Sequence, residues 1–222
     1  NMKLALFDLD NTLLPIDSDH GWSQFLINKG VLDRAEFEAR NDQFFADYKA
    51  GTLNIDEFLD FQLRPLRDNK RAQLAAWHNE FMAEVIRPNL KPSAIELVKQ
   101  HQADNAVCVI ITATNSFITQ PIAQAFGIEA LIATEPELVD GEYTGKVTGV
   151  PSFREGKVTR LNDWLAAKNW TLSSFESSYF YSDSINDLPL LECVSHPVAA
   201  NPDNKLAEIA QTRGWPVLEL FK

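Results

Sequence analysis

Leu4-Ala5-Leu6-Phe7 is a short apolar run that stops at Asp8, with Asn11-Thr12 and Pro15 following as turn chemistry. That pattern predicts a buried strand running into a loop. From Ile16 to about Pro88 the strand signal disappears and apolar residues recur at helical spacing: Trp22, Phe25 and Leu26, then Phe37, Phe44, Phe45 and Tyr48, then Leu74, Trp77, Phe81 and Val85. The stretch 16–88 therefore reads as an all-helical insertion, and aromatics at this spacing are expected to form a small core of its own.

Beyond Leu90 the chain alternates. Helices are expected over Ser93 to His101, Ser116 to Phe126, Gly156 to Ala167, Leu188 to Cys193 and Lys205 to Gln211. Strands are expected over Ala106 to Thr112, Ala130 to Ala133, Tyr179 to Tyr181, Pro197 to Ala200 and Pro216 to Leu220. Alternation of this kind implies βαβ units and a parallel sheet. Asp140-Gly141 between Leu138-Val139 and Tyr143 marks a β-hairpin within Glu137 to Thr148. The fold class is α/β, a doubly wound parallel sheet of residues 1–15 and 89–222 carrying the helical cap 16–88.

Charge changes this picture by exclusion. The chain of 222 residues holds 31 Asp and Glu against 20 Lys and Arg, a formal net charge of -11, so a surface that tracks nucleic-acid phosphates is not expected. Phosphate chemistry on so acidic a chain calls for a metal cation. Cys108 lies inside the apolar run Val107 to Ile111 and reads as a small core residue, and two cysteines make no disulfide framework. No apolar run approaches the roughly 20 residues that span a membrane. Asn1-Met2-Lys3-Leu4 lacks the layout of a secretion signal, with Asn1 reading as an added residue, so the expected compartment is the cytoplasm. The residues leave the oligomeric state open.

Ligands of an open parallel sheet bind outside the carboxyl ends of its strands. Asp8 and Asp10 follow the first strand, Thr112 the second, and Asp183 and Asp187 another, while Lys157 opens a helix between them. Singly, each has an ordinary reading as a turn residue, a helix cap or a surface charge. Together they place four carboxylates, a hydroxyl and an ammonium at one edge, and carboxylates that close repel unless protons or a cation intervene. Phosphoryl transfer through a covalent intermediate needs this set: a carboxylate nucleophile, a cation, a Lys on the phosphoryl oxygens and a second carboxylate to move the proton. Oxygen ligands without His or Cys favour Mg²⁺.

Phe7-Asp8-Leu9-Asp10-Asn11-Thr12-Leu13 resembles the first motif of the haloacid dehalogenase superfamily, in which Asp-x-Asp-x-Thr follows the first strand. Ile110-Ile111-Thr112 is similar to the second motif, Gly156-Lys157 to the third and Asp183-Ser184-Ile185-Asn186-Asp187 to the fourth. The helical insertion and the Asn186-Asp187 pair resemble the phosphoserine phosphatase-like branch. The resemblance implies that Asp8 is the nucleophile, Asp10 the general acid and base, and Thr112 and Lys157 the phosphoryl-binding groups. It implies Mg²⁺ on the carboxylates of Asp8 and Asp183 and the backbone carbonyl of Asp10, with Asp187 as orienting residue and Asn186 beside the phosphate. The activity implied is hydrolysis of a small-molecule phosphomonoester. A phosphotransferase keeps the same residues, whereas a phospho-acceptor signalling module would be shorter and carry no cap of this length.

Four departures bear on this branch. Ser182 stands where the family usually has Gly, and Thr112-Ala113-Thr114 replaces Ser-Gly-Gly, which restricts backbone approach around Ala113. Asp17 takes the place of a Glu that contacts the substrate ammonium. Gln62 falls where the branch has an Arg for the substrate carboxylate, with Arg64 two residues on. A carboxylate left unpaired costs several kcal/mol, so the expected substrate carries an ammonium and no carboxylate, as histidinol phosphate or a related amino-alcohol phosphate does; the alternative is phosphoserine, with Arg64 substituting for the missing Arg if the register slips. His20 and His78 are given no role.

Overall fold

The computed structural model describes residues 2–222, so Asn1 lies outside it. In chain order, β1 (Lys3–Phe7) leads into five helices, α1 (Ser18–Asn28), α2 (Arg34–Ala50), α3 (Ile55–Gln62), α4 (Arg64–Asp68) and α5 (Arg71–Phe81). A π-helical turn over Met82–Ile86 and a 3₁₀ turn over Arg87–Asn89 return the chain to the sheet. Then follow α6 (Pro92–Ala103), β2 (Val107–Asn115), α7 (Ser116–Ala125), β3 (Ala130–Val139), β4 (Glu142–Thr148), α8 (Glu155–Ala166), β5 (Ser177–Ser182), α9 (Leu188–Leu191), β6 (His196–Ala200), α10 (Asn204–Arg213) and β7 (Val217–Leu218).

One seven-stranded sheet has the order β4-β3-β2-β1-β5-β6-β7, and among the described residues only β4 runs antiparallel to its neighbour. The chain winds from β1 to one side through β2 and β3, and later to the other side through β5, β6 and β7, so β1 sits at the switch point. Alternation along the strands fills both faces. Ala5, Phe7 and Ile110 pack on one side against α1, α6 and α7, while Leu4, Leu6, Val109 and Ile111 pack on the other against α8, α9 and α10. A sheet covered on both faces explains why its inner strands are continuous apolar runs.

Three strand lengths differ from those the pattern predicts. β2 continues past Thr112 to Asn115, with a register shift between Ile111 and Asn115, so the second motif lies in an irregular strand end. Such a bulge re-aims side chains beside a site. β3 continues through the stretch expected to open a separate hairpin, and only its far end pairs with β4. Asp140 and Gly141, with φ of 52° and 81°, form the two-residue turn, which Gly makes without strain. β7 is two residues long.

The aromatic residues of the insertion divide between the core of the sheet and a small core apart. Trp22 of α1 meets Phe81 of α5 at 5.4 Å and Phe117 of α7 at 5.4 Å between ring centroids, and His78 Nε2 lies 2.9 Å from the Ile118 carbonyl. Trp22 and Phe81 belong to the same hydrophobic cluster as Phe7 and Ile110, with Phe117 packed against it. A separate small cluster among α1, α2 and α3 is made by Ile27, Phe37 and Phe61, with Leu32 and Phe44 packed on them. Helical spacing identifies which residues are buried and is silent on what they are buried against. Among the described residues no helix is long and apolar enough to cross a membrane.

Because the fully buried Trp22 ties the insertion to the sheet, Trp22→Ala is expected to cost about 3–5 kcal/mol in one cooperative urea transition. A separate early transition for the helices, followed by circular dichroism and Trp fluorescence, would contradict this.

Candidate active site

Parallel register brings the strand-end groups together. Phe7 pairs with Ile110 on one side and Tyr181 on the other, so Asp8, Thr112 and Asp183 emerge within two residues of the same level. Asp8 is fixed by its own N–H, which donates to the Tyr181 carbonyl at 3.0 Å.

Lys157 Nζ lies 3.1 Å from Asp8 Oδ1 and 2.9 Å from Asp187 Oδ1, and all three side chains are between 1% and 3% exposed. Burial alone would lower the Lys157 pKa, but the carboxylates of Asp187 and Asp8 outweigh it and raise it, so the ammonium keeps its proton. Burial also pushes the Asp187 carboxyl up to about 6, with Lys157 opposing. Ser182 donates to Asp187 Oδ2 at 2.6 Å and accepts from the Ser184 N–H at 3.1 Å. The residue that departs from the family's Gly is thus part of the brace behind the ion pair. Gly156 precedes Lys157 for a steric reason: a Cβ there would stand 2.1 Å from the Pro151 carbonyl oxygen.

Asp10 points away from this triad. Its Oδ1 accepts from the Ser18 N–H at 2.7 Å, at the start of α1, and its Oδ2 accepts from Thr114 Oγ1 at 2.6 Å. Burial first, and then the charge of Asp17, raise its pKa to about 7, which suits a group that must give up and regain a proton near neutrality. The Thr114 N–H donates to Thr112 Oγ1 at 3.1 Å, which leaves the Thr112 hydroxyl proton free to donate outward. By sequence Thr114 is only a bulkier substitute for Gly; in the fold its hydroxyl seats the Asp10 carboxyl.

Thr12 joins the two remaining carboxylates, donating to Asp183 Oδ1 at 2.9 Å and lying 3.4 Å from Asp8 Oδ2. Burial and the Asp8 charge raise the Asp183 pKa well above the ordinary range. Among the described residues no three His, Cys, Asp or Glu side chains gather as a ligand set. The donor set is instead two carboxylates, Asp8 and Asp183, plus the Asp10 carbonyl, which takes no hydrogen bond from any described backbone N–H. Mg²⁺ commonly takes one or two carboxylates and completes its shell with water and phosphate, so these residues fit it.

Two expected substrate contacts are placed elsewhere. Gln62 is buried between helices, where its Oε1 accepts from Ser23 Oγ at 3.0 Å and its Nε2 donates to the Asp19 carbonyl at 3.1 Å. Its amide is engaged at both ends and does not line the cavity. Arg64 does not line it either; its guanidinium stacks over Phe37 and faces Glu36 at 3.9 Å. Asn186 bridges core and cap, with Nδ2 donating to the Tyr48 carbonyl at 2.8 Å and Oδ1 accepting from Arg154 Nε at 3.1 Å. Lys205 donates to the Ala50 carbonyl at 2.8 Å, and Arg154 to that of Gly51. Three side chains from the core thus cap carbonyls at the end of α2, and two of them are cations, the sign a helix carboxyl end attracts. Nothing in the sequence pattern distinguishes Arg154. Its φ of 52° is a signal that only coordinates carry.

The cavity over Asp8 is small, ≈ 30 Å³, room for about one or two waters. Its walls include Asp10, Asp17, Asp19, Thr112 and Ala113 from below and Phe44, Phe45, Tyr48 and Phe58 from the insertion. A cleft of ≈ 790 Å³, which shares Asp17, His20 and Phe45 with it, opens outside.

Comparison with known proteins agrees with this constellation. A model of haloacid dehalogenase-like hydrolases matches residues 5–192. The chain belongs to that family. It is 52% identical over 217 residues to a histidinol-phosphatase of Neisseria meningitidis serogroup C, covering 97% of this chain and 98% of that one. A Bordetella pertussis protein of unknown function has a solved structure that superposes with a TM-score of 0.95 at 53% identity over the whole of both chains. A substrate-bound phosphoserine phosphatase superposes with a TM-score of 0.71 at 19% identity, over 99% of this chain and 93% of that one, which shows the shared fold.

The crowding at Gly156 and the raised carboxyl pKa values can each be tested. Gly156→Ala must displace either the Pro151 turn or the start of α8, so a loss of about 2 kcal/mol and a melting temperature roughly 4–8 °C lower are expected by calorimetry. Asp10, Asp183 and Asp187 have folded-state pKa values above those of the unfolded chain, so their contribution is full below the ordinary carboxylate range and is lost as pH rises, through about 6 for Asp187 and about 7 for Asp10. Metal-free protein should therefore melt lower at about pH 8 than at about pH 5, and millimolar Mg²⁺ should raise the melting temperature more at the higher pH. Equal Mg²⁺ shifts at both would count against the site.

Proposed function

We propose that the protein hydrolyses a small phosphomonoester through an aspartyl phosphate on Asp8, with histidinol phosphate as the substrate the pocket suits best. The buried Asp8–Lys157–Asp187 triad with Asp10 beside it carries the reaction class. The cavity wall supports the substrate: among the described lining residues it holds Asp8, Asp10, Asp17 and Asp19 and no Lys or Arg. A substrate carboxylate would find no Lys or Arg there and only His20, which is already engaged with Asp42 at 2.8 Å, whereas an ammonium would find several carboxylates. The histidinol-phosphatase named above, at 52% identity, supports the same substrate. Gln62, the residue from which sequence reasoning reaches this substrate, has no part in it, since its side chain is turned into the helix packing.

In this mechanism Asp8 attacks the phosphorus while Lys157 and the Thr112 hydroxyl hold the phosphoryl oxygens, and Asp10 protonates the leaving alkoxide. Asp10 then takes a proton from the water that hydrolyses the aspartyl phosphate. Mg²⁺, held by Asp8, Asp183 and the Asp10 carbonyl, would neutralise charge on the phosphoryl group. Asp187 and Ser182 fix Lys157. The cavity is smaller than the substrate, so α2 must part from the core to admit it and close again to exclude water.

Phosphate release from histidinol phosphate is the measurement. Asp8→Asn is expected to abolish turnover and Asp10→Asn to lower kcat by about 10²–10⁴-fold, with both variants folded. Wild-type kcat/KM should favour histidinol phosphate over phosphoserine. Turnover by Asp8→Asn, or a preference for phosphoserine, would reject the corresponding half of the reading.

A further inference from the structure

Asp19 is the second residue of α1, and the two residues before it are committed to local structure. Asp17 caps α1, its Oδ1 accepting from the His20 N–H at 2.9 Å, and Ser18 donates its N–H to Asp10. The Asp19 main chain is equally fixed, because Gln62, itself held by Ser23, donates to its carbonyl. The side chain is different. It is 8% exposed, it lines the cavity over Asp8, and its Oδ1 has no hydrogen-bond partner among the described residues.

A buried carboxylate oxygen without a partner is costly to keep. Burial, then the charges of Asp17 and Asp10, push its pKa well above the ordinary range. The α1 amino end favours the charge, but no described group reaches Oδ1, and Asn at this position would carry no charge to desolvate. Such a group is explained when a ligand supplies the missing partner, as residues at binding sites commonly sacrifice stability for function. The ligand must bring a donor with positive charge. Opposite the carboxylates, Phe44, Phe45, Tyr48 and Phe58 form flat apolar walls, which suit a planar ring, and a protonated nitrogen gains from both surroundings.

Resting on the phosphatase reading above, we propose that Asp19 is the specificity residue of this site, its free oxygen receiving the cationic nitrogen of the substrate and so selecting cationic phosphomonoesters over neutral and anionic ones. Asp17, committed to capping α1, is secondary in this recognition.

The experiment compares wild type with Asp19→Asn, which keeps shape and removes charge. For each, kcat/KM is measured for histidinol phosphate and for p-nitrophenyl phosphate, which shares the phosphoryl group and lacks a cation. The ratio of the two is expected to fall by at least about tenfold in Asp19→Asn, mainly through KM for histidinol phosphate. Binding of L-histidinol alone, read by calorimetry, should fall by a similar factor. Asp19→Asn should melt no lower than wild type without ligand, since it removes an unpaired buried charge. An unchanged ratio together with unchanged histidinol affinity would overturn the assignment. If the wild-type protein hydrolyses neither ester yet binds L-histidinol through Asp19, the phosphatase reading fails while the Asp19 site stands. Hydrolysis of both esters with no dependence on Asp19 leaves the phosphatase reading standing and removes the Asp19 site.

Discussion

Among the described residues the Lys157 ammonium is the one cation buried in a nest of carboxylates, and the arrangement of the site depends on it. Asp8 and Asp187 are drawn to it from beyond the ends of two different strands, and their attraction raises its pKa against the effect of burial. One ammonium does not balance Asp8, Asp10, Asp183 and Asp187. The remaining negative charge emerges as raised carboxyl pKa values. The steric and hydrogen-bonding details nearby serve that triad. Gly156 lets the chain pass Pro151 so that Lys157 can project inward, and Ser182 holds Asp187 from behind.

The insertion is joined to this centre in two different ways. α1 and α5 share the main hydrophobic cluster with α7, and their packing depends on area buried. α2 meets the core at its carboxyl end, where Asn186, Lys205 and Arg154 donate to the carbonyls of Tyr48, Ala50 and Gly51, and through the aromatic side chains over the cavity. Hydrogen bonds at a helix end exchange readily for water, whereas a buried Trp does not. The physical division therefore runs between α2, which covers the cavity, and α1 with α5, which belong to the body that positions Asp10.

The anionic cavity wall connects these two levels. Asp10 and Asp17 touch the first turn of α1, and Asp19 projects from it, so the helix amino end gathers the carboxylates at a place where its dipole favours them. The first turn of α1 supplies carboxylates to the cavity wall, and α2 and α3 supply its rings.

Much of the reaction chemistry is legible in the chain. Apolar runs that end in Asp8, Thr112 and Asp183 place those residues at one edge, because parallel strands present their carboxyl ends on the same side, and the order of the motifs needs no knowledge of packing. Three-dimensional packing decides what the helices of the insertion contribute. Helical periodicity tells which positions share a face but leaves the direction of that face undetermined, and about 100° separates one residue from the next. Resemblance to the branch points Gln62 at the substrate, whereas in the fold its amide faces the α1–α3 packing. Asp19 is inconspicuous beside Asp17 in the chain. Its distinguishing property, a buried oxygen with no partner, is a relation between elements far apart in sequence and exists only once they are folded together.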